Sequence, residues 1–159
     1  IRQPDTNNPK GYWEYEKVKK MMSDTSWLEE ANNKTLKIIA PLISYLPAKY
    51  DYKIIFMQRD LAEVMKSQQV MLGRKSEVQQ NAFPIVLSEA FKKQMEQSLA
   101  WIKRSPNVTA LFVEYADAIE RPADKAENVA EFLGSHLAIQ KMIEAVDKSL
   151  YRNKFVEKV

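Results

Sequence analysis

Residues 52–69 read YKIIFMQRDLAEVMKSQQ, and the change of pattern inside this stretch decides the fold. Tyr52–Met57 is an apolar, β-branched run of the kind that fills a buried strand. Gln58 and Arg59 end the run, and Asp60 with Glu63 three residues later is close to a capping box. The spacing predicts a helix from Asp60 to about Leu72. Ligands of open α/β sheets collect at the carboxyl ends of the strands. Arg59 stands at such an end, and Ser67 follows eight residues later, two turns into the helix. A guanidinium and a hydroxyl placed in this way suit a bound phosphate. The same spacing also allows Arg59 to pair with a nearby carboxylate while Ser67 faces solvent.

Downstream, the polar loop Gly73–Gln80 leads to a long helix over about Pro84–Arg104, and Ser105-Pro106-Asn107 is a turn signal. Val108–Glu114 reads as a strand. Pro122 opens a helix over Ala123–Leu133 that Gly134 closes, and a last helix covers about Ile139–Val146. Upstream, Ile1–Gly11 reads as an extended loop and Tyr12–Met22 as a helix. A second helix follows near Ser26–Asn32, capped by Asp24 or Thr25. Leu36–Ala40 reads as a short strand, and Pro41–Leu46 as one helical turn. Strands alternating with helices predict a mainly parallel sheet covered on both faces.

A chain of 159 residues, 45% hydrophobic and 28% charged, suits a single globular domain over 1–159. No stretch approaches the roughly 20 apolar residues of a membrane span. The absence of cysteine excludes disulfides and thiolate metal sites, and one histidine, His136, excludes a histidine-rich metal site. A net charge of +3 is too small to point to nucleic acid.

Taken in order, the motifs resemble the sulfotransferases that use 3′-phosphoadenosine-5′-phosphosulfate (PAPS). LKIIAPLISYLP (36–47) followed by residues 52–69 is similar to that family's strand–proline turn–strand–helix core. VEYADAIERPADKAENVAEFLG (113–134) is similar to its later strand, tyrosine and proline-started helix. NPKGYWE (8–14) and SLYRNK (149–154) look closer to a bacterial branch than to the cytosolic animal branch.

The resemblance implies a three-layer α/β/α fold of the P-loop type. It implies sulfuryl transfer from PAPS to a hydroxyl or amine of a small molecule or glycan, in a cytoplasmic protein that needs no metal. Arg59 and Ser67 match the pair that holds the nucleotide 3′-phosphate, and Tyr115 matches a tyrosine on the adenine. Arg152 and Asn153 sit where the family's C-terminal basic loop reaches the same phosphate. Lys37 matches a lysine on the transferred sulfuryl group, where fixed positive charge stabilises the transition state.

Two departures stand out. Ile39 occupies the position of the catalytic histidine of the cytosolic branch, so the base comes from elsewhere. Glu14 is the candidate, or Glu16 if the helix phase differs, with Lys10 helping to bind the sulfuryl group or an acidic acceptor. Secondly, Gly11, Gly73 and Gly134 are the only glycines, and none lies in a strand–loop–helix setting that would cradle a 5′-phosphosulfate. The expectation is a family member lacking its N-terminal strand, phosphate loop and first helix, either drawn from a longer natural protein or given that strand by another segment, and inactive as this chain alone. Two other readings stay open: a non-catalytic binding or scaffold protein with a degenerate P-loop fold, and a P-loop small-molecule kinase.

Overall fold

The computed structural model describes residue 4 and residues 9–71, 77–134 and 136–152. It divides into two compact units, one built from Ile1–Asp51 with Ala90–Asn107, the other from Tyr52–Glu89 with Val108–Val159.

The second unit is α/β. Strand β1 (Tyr52–Gln58) pairs in parallel with strand β2 (Val108–Glu114), in a register running from Tyr52↔Val108 to Gln58↔Glu114. Ile54, Ile55 and Phe56 fill the middle of β1 and Ala110, Leu111 and Phe112 that of β2, and Phe56 and Val113 are buried. A parallel pair cannot be joined by a hairpin and needs a long crossover. Here the connection carries helices α1 (Leu61–Met71) and α2 (Glu77–Arg104). After β2 come α3 (Tyr115–Glu120), α4 (Pro122–Leu133) and α5 (Ile139–Ala145).

Helix α4 packs against α3, α5 and β2. Its covered positions Pro122, Ala126, Val129, Ala130 and Leu133 fall at helical spacing, which is why one stripe meets the rest of the unit. Gly134 ends it at φ 64, donating its N–H to the carbonyls of Ala130 and Glu131. Lys53, on β1, finishes the cap: its Nζ donates to the Phe132 and Leu133 carbonyls at 2.9 and 3.0 Å. A cation on the last carbonyls satisfies groups that the helix leaves unpaired and complements its dipole.

In the first unit, Val18, Met21, Trp27 and Leu28 form the buried centre, with Leu36, Ile38, Leu42 and Leu46 packed around it. The segments around them are 3₁₀ turns, Glu16–Lys20, Ser26–Ala31 and Ala40–Tyr45. The helix expected over Tyr12–Met22 is thus shortened to one tight stretch. Its termination is local, because the N–H groups of Ser23 and Asp24 both close on the Lys20 carbonyl. The Asp24 carboxylate accepts from the Ser26 N–H and hydroxyl at 2.9 and 2.7 Å, starting the next turn.

Three further expectations change. Leu36–Ala40 joins no ladder, so the described sheet has two strands and not three. An apolar run becomes a strand only where another strand offers it hydrogen bonds, and β1 and β2 pair with each other. Helix α2 starts at Glu77 rather than near Pro84, since a proline favours a helix start without fixing one. Residues 73–76 of the expected loop lie outside the described residues. Helix α3, finally, was not anticipated between β2 and Pro122.

Candidate active site at the strand ends

The parallel register builds the site. Gln58 and Glu114 are the last paired residues, so Arg59 and Tyr115 leave the two strands side by side at their carboxyl ends. Asp60 accepts the Glu63 N–H on Oδ1 at 3.1 Å, which starts α1 and sets its first turn. Glu63 then lies four residues from Arg59, and Arg59 Nε donates to Glu63 Oε2 at 3.0 Å. Glu63 is buried, 5% exposed, whereas the Arg59 side chain keeps 23% of its surface.

Two aromatic rings lie against the guanidinium. Its carbon lies 4.6 Å from the Tyr115 ring centre and 5.5 Å from that of Tyr151. The two rings meet edge to face, 5.3 Å apart at 88°. The Tyr151 hydroxyl reaches Glu63, donating toward Oε1 at 2.8 Å and Oε2 at 3.0 Å. That carboxylate, with burial, pushes the Tyr151 hydroxyl above its ordinary range. Arg59, Asp60, Glu63, Glu114, Ala116 and Tyr151 line an open cleft of roughly 310 Å³.

The pairing alternative for Arg59 is therefore realised at its Nε. The structure nevertheless keeps the residue at the strand end, and among the described residues its hydrogen bonding ends at Glu63. Ser67 is half-buried on α1, one turn beyond Glu63. Arg152 follows Tyr151 and is exposed, and Asn153 lies outside the described residues. Three carboxylates in the lining face one guanidinium, so the cleft gains no net positive charge from its own walls.

The other expected residues lie in the first unit. Lys37 is exposed, and its Nζ donates to the Tyr12 carbonyl at 2.8 Å, tying it to the segment that carries Lys10 and Glu14. That segment turns sharply, with Gly11 at φ 83 and Trp13 at φ 51. Trp13 is 75% exposed in this left-handed conformation, an uncommon one for a bulky residue. Glu14 is half-buried, its Oε2 4.0 Å from Lys19 Nζ. Glu16 is held more tightly by Lys19, at 3.0 Å, and its carboxyl falls below the usual range. A lowered pKa weakens a carboxylate as a base, which counts against Glu16 in that role. Lys10 is exposed in a turn, as is His136 outside any helix.

Sequence reading missed Glu63 and Tyr151. Glu63 falls four residues after Arg59 and four before Ser67, a spacing legible as one helix face and read only as a cap. Tyr151 sits inside SLYRNK, where the basic neighbours drew the attention.

A family model for the sulfotransferase domain matches residues 14–157. The chain belongs to the sulfotransferase domain family. No curated protein and no solved structure gives a match. The matched span covers both strands, the Arg59 cleft and Lys37, and family membership supports sulfuryl transfer as the general chemistry and a transferase as the enzyme class. Among the described residues of this sulfotransferase, no helix is long and apolar enough to cross a membrane.

Proposed function

We propose that the protein transfers a sulfuryl group from PAPS to a hydroxyl or amine on a small molecule or glycan. One observation carries the proposal. At the carboxyl end of β1, Arg59 lies against two tyrosine rings and is held at Nε, and among the described residues no hydrogen bond engages its terminal nitrogens. The paired N–H donors of a guanidinium suit phosphate oxygens.

In this reading Arg59, Ser67 and Arg152, with Asn153 beside them, hold the 3′-phosphate, and Tyr115 contacts the adenine. PAPS supplies an activated sulfuryl group whose in-line transfer spreads charge over its oxygens. Lys37 stabilises that charge, Glu14 accepts the acceptor's proton, and Lys10 steadies the sulfuryl group or an acidic acceptor. Basic side chains do the charge work, so activity persists in EDTA, unlike that of a magnesium-dependent kinase. The reading carries with it a three-layer α/β/α fold of the P-loop type, in a cytoplasmic protein.

Calorimetry with 3′,5′-adenosine bisphosphate tests the reading. Arg59→Ala is expected to weaken binding on the order of 100-fold, as loss of two charge-assisted hydrogen bonds implies. An unchanged Kd removes Arg59 from the nucleotide site. The carboxylate-rich lining favours one rival, a non-catalytic scaffold. That rival predicts no binding heat from the unaltered protein.

A further inference from the structure

Glu63 has no role in the nucleotide contacts just described, yet it is the most buried carboxylate at the strand ends and joins two parts of the chain far apart in sequence. One of its oxygens receives Arg59 Nε, and both lie within reach of the Tyr151 hydroxyl. Tyr151 ends a segment that is itself anchored locally. Asp147 accepts from the Ser149 N–H and hydroxyl at 3.1 and 2.6 Å, forming the 3₁₀ turn Lys148–Leu150. Lys148 Nζ lies 3.7 Å from Glu120 on α3. The ring of Tyr151 then closes on Arg59 and Tyr115.

We propose that Glu63 is a positioning residue that couples the aim of Arg59 to the docking of the C-terminal segment through Tyr151. The inference rests on the nucleotide reading above and adds a dependence to it. The bond at Nε holds the guanidinium by its edge, while among the described residues no hydrogen bond takes up its terminal nitrogens. Donation from the Tyr151 hydroxyl satisfies a carboxylate that would otherwise be buried against an anion site. The same bond seats the residue immediately before Arg152. An anion at Arg59 and an ordered C-terminal segment therefore stabilise one another, as linkage requires of two events that share a contact.

The test compares 3′,5′-adenosine bisphosphate with 5′-AMP, which lacks the 3′-phosphate, by calorimetry on the unaltered protein, Glu63→Gln and Tyr151→Phe. Both variants are expected to bind the bisphosphate about tenfold more weakly, the loss of one hydrogen bond to a charged group. Their affinity for 5′-AMP should stay within twofold, so discrimination between the nucleotides falls. In parallel, the amides of residues 147–152 should exchange faster in both variants, and the bisphosphate should slow exchange in the unaltered protein. Tyr151→Phe removes a single hydroxyl and guards against misfolding of Glu63→Gln. Bisphosphate affinity unchanged in Tyr151→Phe, with binding by the unaltered protein intact, overturns the coupling and leaves the nucleotide reading standing. Equal losses for both nucleotides also overturn it, since a general structural defect would act that way. No binding by the unaltered protein overturns both.

Discussion

Around Arg59, side chains hold side chains: a carboxylate at its edge, two tyrosine rings against it, and a hydroxyl behind the carboxylate. Around Lys37 the partner is a backbone carbonyl, and the neighbouring segment passes through two left-handed residues and 3₁₀ turns. The first arrangement specifies residue identity at every position. The second specifies the path of the chain and leaves its ends exposed. A phosphate clamp benefits from the first, because donors held rigid before binding lose little entropy on binding. A group that meets a variable acceptor tolerates the second.

The contrast can be broken most forcefully at the chemical step. Lys37→Ala should cut turnover on the order of 100-fold while nucleotide Kd stays within twofold, as expected for charge placed on a transition state. Glu14→Gln should also lower turnover by about 100-fold with unaltered nucleotide affinity, measured at saturating PAPS. Equal turnover would hand the proton to another group.

Stability should divide the other way. Glu63→Ala leaves a mostly buried guanidinium without its carboxylate and should cost about 2–3 kcal/mol in urea unfolding. Lys37→Ala should change stability by less than about 0.5 kcal/mol, as an exposed side chain would. A comparable loss from both would erase the distinction between the regions.

The pH dependence is a smaller effect with a definite sign. The Tyr151 hydroxyl titrates above its ordinary value of 10.0 because of Glu63 and burial. A group whose folded pKa is raised contributes its stability below the unfolded value and loses it as pH rises through the folded one. Tyr151→Phe should therefore be less stable than the unaltered protein by about 1 kcal/mol at pH 8. The gap should close as pH climbs beyond 10. A gap that widens there would contradict the hydroxyl-to-carboxylate bond.

Much of this was legible in the chain. Val108–Glu114 is a strand as read, β1 extends one residue past the expected Met57, and Pro122 and Gly134 bracket α4. Those elements carry strong local signals: β-branched runs, a proline that can begin a helix, and a glycine that tolerates positive φ. The N-terminal helices were less legible because Glu16–Lys20 and Ser26–Ala31 end through short-range hydrogen bonds that compete with α-helix. Leu36–Ala40 has strand composition without a strand partner, and composition does not report partners. At the site, Arg59 was readable from its strand end, and Tyr115 entered through the family resemblance. Glu63 with Tyr151 was not, because 88 residues separate them and only the folded chain brings them together.

The register of β1 on β2 has one more consequence. Arg59 and Tyr115 are set beside each other by the ladder that ends at Gln58 and Glu114, not by the length of chain between the strands. Insertions or deletions between the end of α1 and Val108 can therefore change that connection without moving Arg59 from beside Tyr115 or shifting Glu63 and Ser67 along α1. A single residue added within either strand has the opposite effect, sliding one partner out of step and turning its side chain to the other face. The sheet thus works as a fixed gauge, separating the part of the chain free to diversify from the part that is not.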